Sequence, residues 1–162
     1  DIGIDQAGTV STIDTQGYGL VLSGSLSGAG KARKVGAGTL VLDATNSAIG
    51  GLDLAAGGLT NKGVLGVAGA GQMGADTLFT NASGAQLGVF GGIIAGDGAQ
   101  TIDNAGLLLA SIGLGGGRDA YRLHASGWQL GAVDDDRQWL GALGQWHGVR
   151  RPCDGRRHCA RQ

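Results

Sequence analysis

Glutamate does not occur in this chain of 162 residues, lysine occurs three times, and the only proline is Pro152. Glycine, in contrast, fills 35 positions, about three times the ~7% of average usage. Helices of roughly 10 to 15 residues draw on runs of Ala, Leu, Glu, Lys and Arg, and each interior Gly costs roughly 1 kcal/mol against Ala. Few such helices can be built from this chain. No apolar stretch reaches the ~18 residues of a membrane-crossing helix. Glycine does not recur at every third position as in collagen, and Val, Leu, Ile and Thr are too frequent for plain disorder. What remains is a series of short strands joined by glycine turns. At 162 residues the chain is long enough for one domain with a core of its own. It opens on Asp1, without a basic segment and an apolar run behind it. Any export signal is therefore expected to lie outside this piece or to have been removed.

The net charge of -1 hides an asymmetry. Residues 1 to 121 carry nine Asp against five Lys and Arg, whereas residues 122 to 162 carry four Asp against seven Arg. Every Trp (128, 139, 146), every His (124, 147, 158) and both Cys (153, 159) also fall in that last quarter. Two parts are therefore expected, a repeat region over residues 1–123 and a compositionally distinct, irregular tail over 124–162.

Three segments of the first part align with one another: "LTNKGVLGV" from Leu59, "FTNASGAQLGV" from Phe79 and "IDNAGLLLA" from Ile102. Their asparagines, Asn61, Asn81 and Asn104, lie 20 and 23 residues apart, which is a solenoid period. Asn and Gly readily take left-handed backbone conformations, so these positions read as a turn repeated once per coil. Between them Leu40 and Leu42, Leu52 and Leu54, Leu65 and Val67, and Leu87 and Val89 alternate with small or polar residues, the strand period of two. The expected fold is all-β, a right-handed parallel β-helix of roughly five or six coils. Coils stacked about 4.8 Å apart would make a short rod whose open ends present unpaired sheet edges.

The run Gly19 to Leu59 resembles the passenger repeat of bacterial autotransporters, the type V secreted proteins. The positions that carry the likeness are Ser23-Gly24, Leu26-Ser27-Gly28, Gly30, Lys34, Gly36, Gly38-Thr39-Leu40, Leu42, Asn46, Gly50-Gly51, Gly58 and Leu59. Further on, Ile112, Leu114, Gly115, Gly117 and Asp119 match a turn of the same passengers. The resemblance covers about 41 residues in one register, and no translocator barrel accompanies it. It implies export to the surface of a Gram-negative bacterium or beyond it. It also implies adhesion to host or bacterial surface ligands or self-association, and an outer-membrane β-barrel in the parent chain.

Several short motifs also have chemical readings. Gly69, Gly71 and Gly74 stand at G-x-G-x-x-G spacing behind Val64 to Val67. A dinucleotide loop needs a helix to open at the third glycine and an acid about 20 residues on. Here β-formers follow Gly74 and no amphipathic helix fits, so an inter-strand turn is expected, with an NAD-linked oxidoreductase as the alternative. Asp119 sits in a segment resembling the calcium nonapeptide, yet no second copy follows, and a tight turn is expected there. Asp134, Asp135 and Asp136 form the one carboxylate cluster, read as a solvated run rather than the acids of a polysaccharide-cleaving β-helix.

In the tail, His147, Cys153, His158 and Cys159 lack zinc-finger spacing, while Cys153 and Cys159 could close a small disulfide loop in an oxidising compartment. The arginines of "RRPCDGRRHCARQ" could bind polyanions by charge alone, but no nucleic-acid partner is expected. The break in composition past Val133 reads as a shifted frame or an arbitrary end. No catalytic, cofactor-binding or metal-binding residue and no cofactor is assigned, and the expected role is structural, an interaction segment without enzymatic activity.

Overall fold

The computed structural model describes residues 1–135, and the expectations for Asp136, Trp139, Trp146, His147, Pro152, Cys153, His158 and Cys159 lie outside them. In chain order the strands are β1 (Ile2–Gly3), β2 (Val10–Asp14), β3 (Leu20–Leu22), β4 (Leu26–Val35), β5 (Thr39–Leu42) and β6 (Ser47–Leu54). They continue as β7 (Gly58–Asn61), β8 (Val64–Val67), β9 (Gly71–Met73), β10 (Leu78–Asn81), β11 (Gln86–Val89) and β12 (Ile93–Ala95). The last six are β13 (Thr101–Asn104), β14 (Leu107–Leu109), β15 (Ile112–Leu114), β16 (Ala120–Leu123), β17 (Trp128–Leu130) and β18 (Val133–Asp135). Among the described residues there is no helix.

All pairings are parallel and join strands one coil apart, which makes the chain a β-solenoid of about six turns with three faces. The first face runs β1, the start of β4, the start of β6, β8, β11, β14 and β17. The second runs β2, the end of β4, the end of β6, β9, β12, β15 and β18. The third runs β3, β5, β7, β10, β13 and β16. β4 and β6 each turn a corner without breaking, so the first two faces share one hydrogen-bonded sheet. The ladder continues through β17 and β18, past Leu123, where the composition changes.

The core is three sets of apolar columns, one behind each face. Leu40, Leu59, Phe79, Ile102 and Tyr121 stack in register behind the third face, each at most 3% exposed. Leu65, Leu87 and Leu108 stack behind the first, and Leu52, Ile93, Ile112 and Val133 stand behind the second, with Gly71 between Leu52 and Ile93. The expected alternation holds at every pair named above: Leu40, Leu42, Leu52, Leu54, Leu65, Val67, Leu87 and Val89 are buried. Burying a side chain of that size contributes roughly 1.5–3 kcal/mol. A single coil has no opposite layer of its own, so this contribution arises only when coils stack.

One expectation is corrected. Asn61, Asn81 and Asn104 are not left-handed turn residues; each is the last residue of its strand and points inward, at most 1% exposed. The non-glycine residues with positive φ among those described are Gln16 and Asp76. Leu59, Phe79 and Ile102 point inward, and the strand period of two puts the asparagine two residues later on the same side. The repeat thus marks an internal column, with Leu22 and Leu42 above it and Leu123 below.

Candidate functional site

Three features stand out from the apolar filling: an amide ladder inside one corner, a polar lining inside another, and an uncharged outer face. In the ladder, Asn61 Nδ2 donates to Asn81 Oδ1 at 3.0 Å and Asn81 Nδ2 to Asn104 Oδ1 at 2.9 Å. The same three amides donate to the carbonyls of Gln86, Leu107 and Trp128, which begin the next coil's first-face strands. Below them the Tyr121 hydroxyl donates to Gln129 Oε1 at 2.9 Å, and Gln129 Nε2 donates to the Ala110 carbonyl. Burial raises the Tyr121 phenol from 10.0 to about 12, against a smaller lowering by its hydrogen bond with Asn104.

The corner between the second and third faces holds Lys34, 1% exposed. Its ammonium donates to the carbonyls of Gly36 at 2.6 Å, Ala56 at 2.8 Å and Gly38. Burial lowers its pKa below the ordinary lysine value and the Asp14 carboxylate opposes that shift. Sequence reasoning placed Lys34 in a repeat pattern without giving it a task. The signal was Ala32, whose inward position fixes Lys34 on the same side.

The outer surfaces differ in charge. The second face carries Arg33 beside Asp53, with 3.4 Å between their side chains, and Lys31, which donates to Gln72 at 3.3 Å. The third face carries Asp103, paired with the exposed His124. The first face has no charged residue on any of its strands among the described residues. Its outward column reads Ser27, Ala48, Gly66, Gly88, Leu109 and Leu130 in register. Val64 and Trp128 stand beside that column, and Phe90 at its edge is 82% exposed. Between Phe90 and the small residues Gly28, Ala48, Gly50, Gly66 and Gly69 lies an open depression of about 690 Å³.

The sequence candidates fall as follows. Gly69 lies in the turn before β9, Gly71 opens β9 and pairs with Leu52 and Ile93, and after Gly74 the chain enters β10. Among the described residues no helix N-terminus faces this loop, and that terminus is what a dinucleotide-binding loop offers to a pyrophosphate. Asp119 lies in the corner before β16, where its Oδ1 accepts from the Gln100 backbone N–H at 2.9 Å. Asp134 is exposed on β18 and Asp135 ends that strand. Among the described residues no three His, Cys, Asp or Glu side chains come together as a metal site. No known family, no curated protein and no solved structure matches the chain.

Proposed function

We propose that this chain is a rod-forming segment of a secreted or surface-displayed protein of the autotransporter passenger kind, and that it works by association rather than by catalysis. The likeness at Gly19 to Leu59 supports the passenger reading, together with a solenoid whose described coils carry no inserted domain. In this reading the parent chain has an outer-membrane barrel, and the partners are surface ligands or further copies of the rod.

The single observation that carries the association is the uncharged first face. Exposed apolar patches of several hundred Å² mark interaction surfaces, and two such faces meet without the like-charge repulsion that Arg33 or Asp103 would bring. Sedimentation of the chain over a range of concentrations tests this. Gly88 faces outward, and a side-chain carbon placed on it would meet nothing within 4 Å, so Gly88→Lys puts a charge on the first face without a clash. Association is expected to weaken in Gly88→Lys and to persist in Thr80→Lys on the third face. Equal association in both variants, or a monomer throughout, contradicts the proposal.

A further inference from the structure

Gly38, Gly57, Thr77, Gln100 and Asp119 each precede a third-face strand, and those strands pair in register, so the five residues form one column at the corner. The corner is polar inside at successive coils. In the upper coils it already holds a cation, the Lys34 ammonium on three carbonyl oxygens. Thr77 Oγ1 donates to the Gly74 carbonyl at 2.8 Å in the coil between.

The lower coils have the acceptors without the cation. Gln100 is fully buried, and its Nε2 donates to the carbonyls of Gly74 and Asp97, both at 3.1 Å. Those two bonds fix the amide orientation, so Oε1 is the atom left over. Asp119 spends Oδ1 on the Gln100 backbone N–H, which holds its carboxylate in the same corner. Gln100 Oε1 and Asp119 Oδ2 are both buried, and among the described residues neither has a donor. Buried acceptors are rarely left so, and one of these two belongs to a carboxylate.

We propose that the corner at Gln100 and Asp119 binds a hard, oxygen-seeking cation of the Ca²⁺ class, with Asp119 Oδ2 and Gln100 Oε1 as its side-chain ligands. Hard cations take carboxylate, amide and backbone carbonyl oxygens together and complete their shell with water. The site does not rest on the passenger reading. It also differs from a nonapeptide calcium roll, because its second ligand is a glutamine one coil earlier rather than a repeat of the aspartate turn.

The test is calorimetric titration of the chelator-treated chain with CaCl₂, followed by thermal melting in CaCl₂ and in NaCl of equal ionic strength. One Ca²⁺ per chain and a higher melting temperature in CaCl₂ are expected. Asp119→Asn supplies an N–H in place of Oδ2, so it is expected to fold and to bind Ca²⁺ on the order of tenfold or more weakly. The triple variant Asp134→Asn, Asp135→Asn, Asp136→Asn is expected to bind as the parent does. No binding by the parent would mean that water fills the corner and would overturn the proposal. Binding lost in the triple variant but kept in Asp119→Asn, or a response to Na⁺ alone, would overturn it equally.

Discussion

Asn61 and Asn81, 20 residues apart in the chain, lie side by side inside the solenoid with the amide of one donating to the carbonyl oxygen of the other at 3.0 Å. Asn104 extends the ladder by one more coil. Stacked amides of this kind satisfy each other along the axis while their remaining N–H groups hold the corner carbonyls, so register and corner geometry are fixed together.

Replacing Asn81 by Leu should therefore be costly even though Leu42 and Leu123 occupy the same column. The Leu107 carbonyl loses the Asn81 donor, Asn61 loses an acceptor, and Asn104 Oδ1 keeps only the Gly106 N–H at 3.2 Å. Each buried group left unsatisfied costs ~1–3 kcal/mol, so a loss of about 3 kcal/mol in denaturant unfolding is expected. In a double-mutant cycle with Asn61→Leu the two losses should fall short of additive by about 0.5–1.5 kcal/mol. Strict additivity would mean the ladder bond contributes nothing.

The glycine loop makes a second prediction, opposite to that of a phosphate-binding loop. A side-chain carbon on Gly71 would meet Val89 at 3.5 Å and Ile93 at 3.6 Å, which is ordinary contact. On Gly69 it would stand 2.6 Å from the Gly50 carbonyl oxygen, and on Gly74 2.7 Å from that of Ala55. Gly71→Ala is expected to gain about 0.5–1 kcal/mol, since it also restricts the unfolded chain. Gly69→Ala and Gly74→Ala are expected to lose about 1–3 kcal/mol by crowding backbone. In a dinucleotide loop Gly71 would instead be the position where backbone approaches the pyrophosphate. Denaturant unfolding of the three variants separates the two orders of tolerance.

The period, the strand alternation and the solenoid were legible because an apolar residue at every second place is what a strand with one buried side requires. Leu59, Phe79 and Ile102 announced their column directly. The inward polar residues were not legible in the same way. Asn serves turns and buried ladders with the same neighbours, and Lys34 or Gln100 inside a corner looks like any surface residue until the corner's free carbonyls are located. The orphaned oxygens of Gln100 and Asp119 depend on which hydrogen bonds form across two coils, and no spacing along the chain encodes that.

The tyrosine under the ladder predicts an alkaline transition. The folded phenol of Tyr121 ionises at about 12 against an ordinary 10.0. The neutral form is the one the fold favours, so this contribution is whole below pH 10 and is lost as pH rises toward 12. Melting temperature should fall across that window and fall less in Tyr121→Phe, in which Lys34 and every other titrating group is retained. Parallel declines in the two proteins would contradict the assignment.

The fold rests on each coil of the solenoid bringing together residues about 20 positions apart. Thr60 and Thr80 pair in register on the outside of the third face, and adjacent strands lie about 4.8 Å apart. With Cys153 and Cys159 replaced by Ser, nitroxide labels on Thr60→Cys and Thr80→Cys measure that relationship by electron paramagnetic resonance. Stacked coils predict a spectrum strongly broadened by spin–spin interaction in the doubly labelled chain. A spectrum equal to the sum of the two singly labelled chains would contradict the stacked coil and everything built on it.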